Sequence, residues 1–136
     1  MKNLSLANLV LTAQEAEFEF PLCKGMVVTV AYANSTLLNT IREKSLVQKF
    51  DPETGTPFQE LDGEKYVLNY AKAVIKGWKG FTYAHLASMV LIDETGVDLE
   101  KEIPFDLDSA AFLMNNATTF DTWVVTSAKK LSNFRK

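Results

Sequence analysis

The sequence predicts an α+β fold in which helix outweighs strand, on three observations. Residues 16–32 carry a strand signal, with apolar and polar positions alternating up to Leu22 and a Val- and Thr-rich run following a Lys24-Gly25 turn. Residues 63–79 keep a sustained helical period of apolar positions. Helix-starting residues recur at Asn34, Asp62, Thr82 and Asp106. The expected order is an N-terminal β-hairpin followed by four to five helices, in a single domain over residues 1–136 with 1–15 as a flexible lead-in. With 136 residues and 47% hydrophobic content, such a domain can bury a core without disulfides or metals.

The hairpin comes first. Phe18, Phe20 and Leu22 alternate with Glu17, Glu19 and Pro21. Met26–Tyr32 is rich in Val and Thr, whose branched side chains suit a pleated strand. Pro21 places the first strand at an edge or ends it early. A lone hairpin is barely stable in water, so this one must pack on helices.

Asn34-Ser35 caps a helix predicted over residues 36–48, with Leu37, Leu38 and Ile41 on its apolar side and Leu46 extending it. The run Asp51-Pro52-Glu53-Thr54-Gly55-Thr56-Pro57 is an exposed loop, because two prolines and a glycine forbid continued helix. The clearest helix spans 63–79, with Val67, Tyr70, Ala71, Val74, Ile75 and Trp78 on one face and Lys65, Asn69, Lys72, Lys76 and Lys79 on the other. In this reading Lys76 and Lys79 favour the negative end of the helix dipole and Gly80 stops the helix. A short helix from Thr82 holds Leu86, Met89 and Val90. An acidic loop follows to Glu102, then a helix capped by Asp106 and broken at Asn115-Asn116. A last helix runs from Thr118 to Asn133 with Phe120, Val124, Ala128 and Leu131 inward and Trp123 flanking.

Charge and chemistry narrow the function. The net charge of -3 and a pI near 5.2 argue against nucleic acid, which asks for a basic stripe. No run approaches the roughly 20 apolar residues of a membrane span. Lys2 and the apolar residues after it are interrupted by Asn3, Ser5 and Asn8, so the start reads as mature sequence and the cytoplasm as the compartment. Cys23 is the single cysteine and forms no internal bridge or cysteine metal cluster. His85 is the single histidine, and nothing in the sequence pairs it with Cys23 or a serine. Asp51, Glu53 and Gly55 imitate a calcium loop, but Gly55 supplies no side-chain oxygen where a ligand is needed. Gly77-Trp78-Lys79-Gly80 lacks the spacing of a phosphate loop. The lysines at 65, 72, 76 and 79 read as a solvated helix face. No catalytic, metal or cofactor residue is assigned, and the chain is expected not to be an enzyme.

Three segments carry a resemblance when taken in order. They are Val28-Thr29-Val30-Ala31-Tyr32-Ala33-Asn34-Ser35, then Ala73-Val74-Ile75-Lys76-Gly77-Trp78-Lys79-Gly80-Phe81, then Ile103-Pro104-Phe105-Asp106-Leu107-Asp108-Ser109-Ala110, with Asn133-Phe134 near the end. This order resembles the tail assembly chaperone family of long-tailed, siphovirus-like bacteriophages. It covers residues 26–134. The family often carries Ser or Thr at the cap where Asp106 stands and Pro where Leu107 stands, and Asp caps equally well. The span from Phe81 to Ile103 is long for the family.

The resemblance implies a chaperone in the host bacterial cytoplasm. It would bind and shield the tape-measure protein, help recruit tail tube subunits, and leave before the tail is finished. A homo-oligomer is compatible with that role. Trp78, Phe105 and Phe134 are the motif aromatics that stand as partner-binding candidates, and each also fits a packing role. Two other classes remain open at this point: a structural tail or neck component of the virion, and a module that binds a host protein.

Overall fold

The structure, a computed structural model, describes residues 14–135. The start that reads as mature sequence, and the lead-in up to Ala13, lie outside the described residues. Glu15, at the end of that expected lead-in, is already paired in the first strand.

Two antiparallel strands, β1 (Glu15–Glu19) and β2 (Val27–Ala31), form the expected hairpin. Pro21 acts in both of the ways foreseen. The strand β1 stops at Glu19, and it lies at the edge of its sheet. Leu22, expected to continue the inward alternation, is exposed in the connection instead. Asn34 then caps α1 (Ser35–Lys44), its side chain accepting from the Leu37 N–H at 2.8 Å.

The first correction falls at residues 45–61. The helix predicted to Gln48 ends at Lys44, and Leu46–Phe50 is strand β3. It pairs with β4 (Pro57–Leu61), so the exposed loop is the tip of a second hairpin. Asp51 organises that tip: its N–H donates to the Thr56 carbonyl at 2.9 Å and its carboxylate accepts from the Glu53 N–H at 2.8 Å. Buried Ser45 anchors the base. Its hydroxyl donates to the Ile41 carbonyl, and its carbonyl accepts from the Asp62 N–H at 2.9 Å.

The second correction falls at residues 75–79. Helix α2 runs from Gly63 to Val74, capped by Asp62, and Ile75–Lys79 is strand β5, paired with β2. The sheet order is β1-β2-β5. Opposite Val30 stands Ile75 and opposite Thr29 stands Gly77, so Lys76 is the extra residue of a bulge. The bulge turns Ile75 and Trp78 to the same side of the sheet although they are three residues apart. That spacing is what imitates a helix. Trp78, Lys76 and Lys79 therefore sit on a strand, not on the end of α2.

Helix α3 (Tyr83–Met89) starts at Thr82 as expected. The acidic connection folds back on it: Thr82 bridges Glu102, and the Ile103 N–H donates to the Phe81 carbonyl at 2.7 Å. Asp106 caps α4 (Leu107–Asn116), accepting from the Ser109 N–H at 2.7 Å. The last helix, α5 (Thr118–Lys129), is shorter than predicted. Residues Leu131–Phe134 form a separate 3-10 turn, which lays Phe134 against Phe18 and Tyr32.

One core joins these elements. Val28, Val30 and Ile75 on the inner sheet face meet Ala71 and Val74 of α2, Ala110 and Leu113 of α4, and Phe120, Val124 and Ala128 of α5. Phe20, buried between Phe120 and Trp123, fixes the hairpin to α5. Each buried Val, Ile, Leu or Phe among them contributes about 1.5–3 kcal/mol through burial. The outer sheet face carries Glu15, Glu17, Glu19 and Lys79. The fold is thus α+β as expected, with a modest excess of helix and more strand than the sequence pattern indicated.

Candidate partner-binding groove

A concavity is formed where α1, α2, α4 and α5 meet. It is lined by Leu38, Tyr66, Val67, Tyr70, Met114, Asp121, Val125 and Lys129 and measures about 330 Å³. Helical spacing builds it. Tyr66, Val67 and Tyr70 share one side of α2, and the Tyr66 and Tyr70 rings stack with centroids 6.2 Å apart. Asp121, Val125 and Lys129 follow at successive four-residue steps along α5, so an acid, an apolar residue and a base lie in a row.

Two polar groups in the groove lack what burial normally demands. Tyr70 is 4% exposed, and its hydroxyl has no hydrogen-bond partner among the described residues. Buried hydroxyls are nearly always paired. Burial pushes this phenol well above its ordinary range, and the charges of Tyr66 and Asp121 push the same way. Asp121 is half-buried, and burial raises its carboxyl. Among the described residues Asp121 takes part in no ion pair. The groove therefore combines apolar walls, aromatic faces and the half-buried Asp121 carboxylate, while the Tyr70 hydroxyl is closed off beneath its surface. Such a set suits binding and orienting a partner.

The aromatic candidates from the sequence lie elsewhere. Trp78 and Phe105 come together, with rings 4.9 Å apart and nearly perpendicular. The indole N–H of Trp78 donates to the Ile103 carbonyl. Phe134 is separate, buried at the edge of the sheet against Phe18 and Tyr32. All three are engaged in packing, and none lines the groove.

Other sequence candidates also find local roles. His85 closes a capping box: its Nδ1 accepts from the Thr82 N–H while the Thr82 hydroxyl accepts from the His85 N–H, both at 3.2 Å. Cys23 is buried 4.0 Å from the Ser88 hydroxyl, and burial pushes its thiol up, favouring the unreactive protonated form. The lysine row divides. Lys72 and Lys76 gather with Lys44 around a shallow hollow between α1 and α2, whereas Lys79 stands 3.6 Å from Glu17 on the outer sheet face.

A second exposed surface went unnoticed in the sequence. The β3–β4 hairpin belongs to no larger sheet, and it presents Phe50 at 62% and Phe58 at 46% exposure. The turn-forming run Asp51–Thr56 between two short segments with apolar ends, Leu46–Phe50 and Pro57–Leu61, was the available signal.

Against protein families, curated proteins and solved structures, the chain matches none significantly. Among the described residues no helix is long and apolar enough to cross a membrane.

Proposed function

We propose that this chain is a tail assembly chaperone of long-tailed bacteriophages, acting in the host bacterial cytoplasm and binding the tape-measure protein through the groove between α1, α2, α4 and α5. The groove is the observation that carries this reading. It offers apolar walls and aromatic faces with the Asp121 carboxylate at one side, a lining suited to one face of an amphipathic helix. The ordered motifs from Val28 to Phe134, which resemble those of that family, support the reading. A groove of this size engages only a few side chains. Affinity per contact is then modest, and many copies acting along one long client provide coverage that can be reversed. The β3–β4 hairpin, with its exposed aromatics, supplies a second surface for recruiting tail tube subunits or another copy of the chain.

That hairpin also favours a second reading, a structural tail or neck protein whose copies join in a ring. A pull-down of tagged protein from infected cells, with mature particles assayed alongside, separates the two. Co-purification of the tape-measure protein and absence from particles supports the chaperone. Retention in particles at fixed stoichiometry replaces it with the structural reading.

A further inference from the structure

We infer that two copies of the chain join through the outer edge of β3, antiparallel about a two-fold axis at Gln48, so that their β3–β4 hairpins become one four-stranded sheet. The dimer commits the second surface named above to one partner, and it depends neither on the groove nor on the client bound there.

The hydrogen-bond phase of the hairpin fixes which groups face outward. At its tip the Asp51 N–H donates to the Thr56 carbonyl, and at its base the Asp62 N–H donates to the Ser45 carbonyl, both at 2.9 Å. Bonded and non-bonded pairs alternate along an antiparallel ladder. Val47 and Lys49 therefore bond across to Glu60 and Phe58, while Leu46, Gln48 and Phe50 turn their N–H and C=O groups away from β4. Among the described residues no third strand meets them. An open edge of this kind is a template for another strand.

The two edges of the hairpin are not equivalent. On β4 the outward groups belong to Pro57, Gln59 and Leu61, and Pro57 has no N–H to give. Strand β3 carries no proline, and its outward residues fit themselves. With Gln48 on the axis, Leu46 of one copy stands opposite Phe50 of the other, and every outward donor of the three residues finds an acceptor. The Leu46–Phe50 pairs are apolar, and the face they share with Pro57, Gln59 and Leu61 holds no charge. On the opposite face Lys49 stands against Val47, so no like charges oppose each other. The same register carries the acidic tip, with Asp51 and Glu53, toward the end of the other copy's α1, where Arg42 and Lys44 lie. A strand from an unrelated protein would pair with the backbone alone, whereas the apolar pairs and the charge match at both ends follow directly from a second copy.

Sedimentation velocity of the full chain over rising concentration tests this. A monomer–dimer equilibrium is expected, with no larger species, because a two-fold contact closes on itself. Gln48→Pro removes the central outward N–H from both copies without touching a bond inside the hairpin, and should weaken dimerisation about thirtyfold or more. Gln59→Pro makes the same change on the outer edge of β4 and should leave the dimer intact. Circular dichroism checks that both variants fold. Gln48→Cys should cross-link into a disulfide-bonded dimer on mild oxidation, since residues facing each other in a bonded pair lie about 5.5 Å apart. Gln59→Cys should not, because its two copies would be three strand spacings, about 14 Å, apart. Native Cys23 is buried and does not compete.

A monomer at every concentration, a dimer that ignores Gln48→Pro, or cross-linking through Gln59→Cys as readily as through Gln48→Cys overturns the inference. If the dimer forms while no tape-measure protein co-purifies, the dimer stands and the chaperone assignment falls. A monomeric chain that still brings down the tape-measure protein keeps the chaperone assignment and removes the dimer.

Discussion

The indole N–H of Trp78 donates to the main-chain carbonyl of Ile103 at 2.9 Å. That bond ties β5 to the long acidic connection, twenty-five residues further along the chain. Around it, Phe81 and Phe105 each meet the indole edge to face, at 5.2 and 4.9 Å. The Ile-Pro-Phe step and the tryptophan-glycine segment, distant in sequence, are therefore one clasp.

Trp78→Phe keeps most of the ring contact but leaves the Ile103 carbonyl without its donor. The expected loss is about 1 kcal/mol. Trp78→Ala also removes the aromatic contacts and should cost about 3 kcal/mol. Urea unfolding followed by circular dichroism gives both values. Equal effects of the two substitutions would show that the hydrogen bond, not the ring, carries the clasp.

Gly80 supplies the sharper constraint. A Cβ placed there would lie 2.1 Å from the Gly25 carbonyl oxygen, and the backbone φ is +72°. Gly80→Ala meets both a clash with main chain and a left-handed conformation, so a loss of about 2 kcal/mol or more is expected. Gly63, in the first turn of α2, has no atom within 4 Å of the same virtual position. Gly63→Ala should be neutral or stabilising by up to about 1 kcal/mol. Thermal melts of the pair test the contrast.

These positions also show where sequence reasoning reached its limit. The caps at Asn34, Asp62, Thr82 and Asp106 were legible because each depends on residues three positions away. The hairpin β1–β2 was legible because alternation and a turn suffice. Ile75 and Trp78 were misplaced because a bulged strand following directly on a helix reproduces helical spacing. Residues 46–61 were misread because Leu46 sits where a helix from Thr36 would place another apolar residue. The groove was half legible. Tyr70 and Val67 fell on the apolar face of α2, but the sequence carries no sign that the Tyr70 hydroxyl lacks a partner. That absence is a tertiary fact, set by helices that cover the hydroxyl without placing a polar group against it.

The exposed hairpin leads to a different kind of test. Phe50 and Phe58 lie on exposed strand and contribute little to the core. Replacing both by Ser should change stability by less than about 1 kcal/mol, each surface change being within about 0.5. If copies of the chain associate through the hairpin, the same double substitution should abolish concentration-dependent mass in sedimentation velocity. A wild-type chain that sediments as a monomer at every concentration excludes that use of the hairpin.

Tyr70 couples the groove to stability and to pH. Its buried hydroxyl has given up water without gaining a partner among the described residues, so Tyr70→Phe should raise stability by about 1 kcal/mol. Alkaline titration provides an independent reading. The folded-state phenol is raised above its ordinary value of 10.0, chiefly by burial. Below that value both states hold the proton, and the full contribution of the neutral phenol to stability is present. Above it the unfolded chain releases the proton first. The unfolded state then binds fewer protons than the folded one, and stability falls as pH rises. The slope from this single group approaches about 1.4 kcal/mol per pH unit beyond the ordinary phenol pKa. Tyr70→Phe should remove that component, so the gap between variant and wild type should widen from neutral pH to about pH 11. Parallel urea titrations of the two proteins measure it. A gap that stays constant with pH would mean that the Tyr70 phenol ionises as easily in the fold as in the unfolded chain, and would remove the buried, unpartnered hydroxyl from the account of the groove.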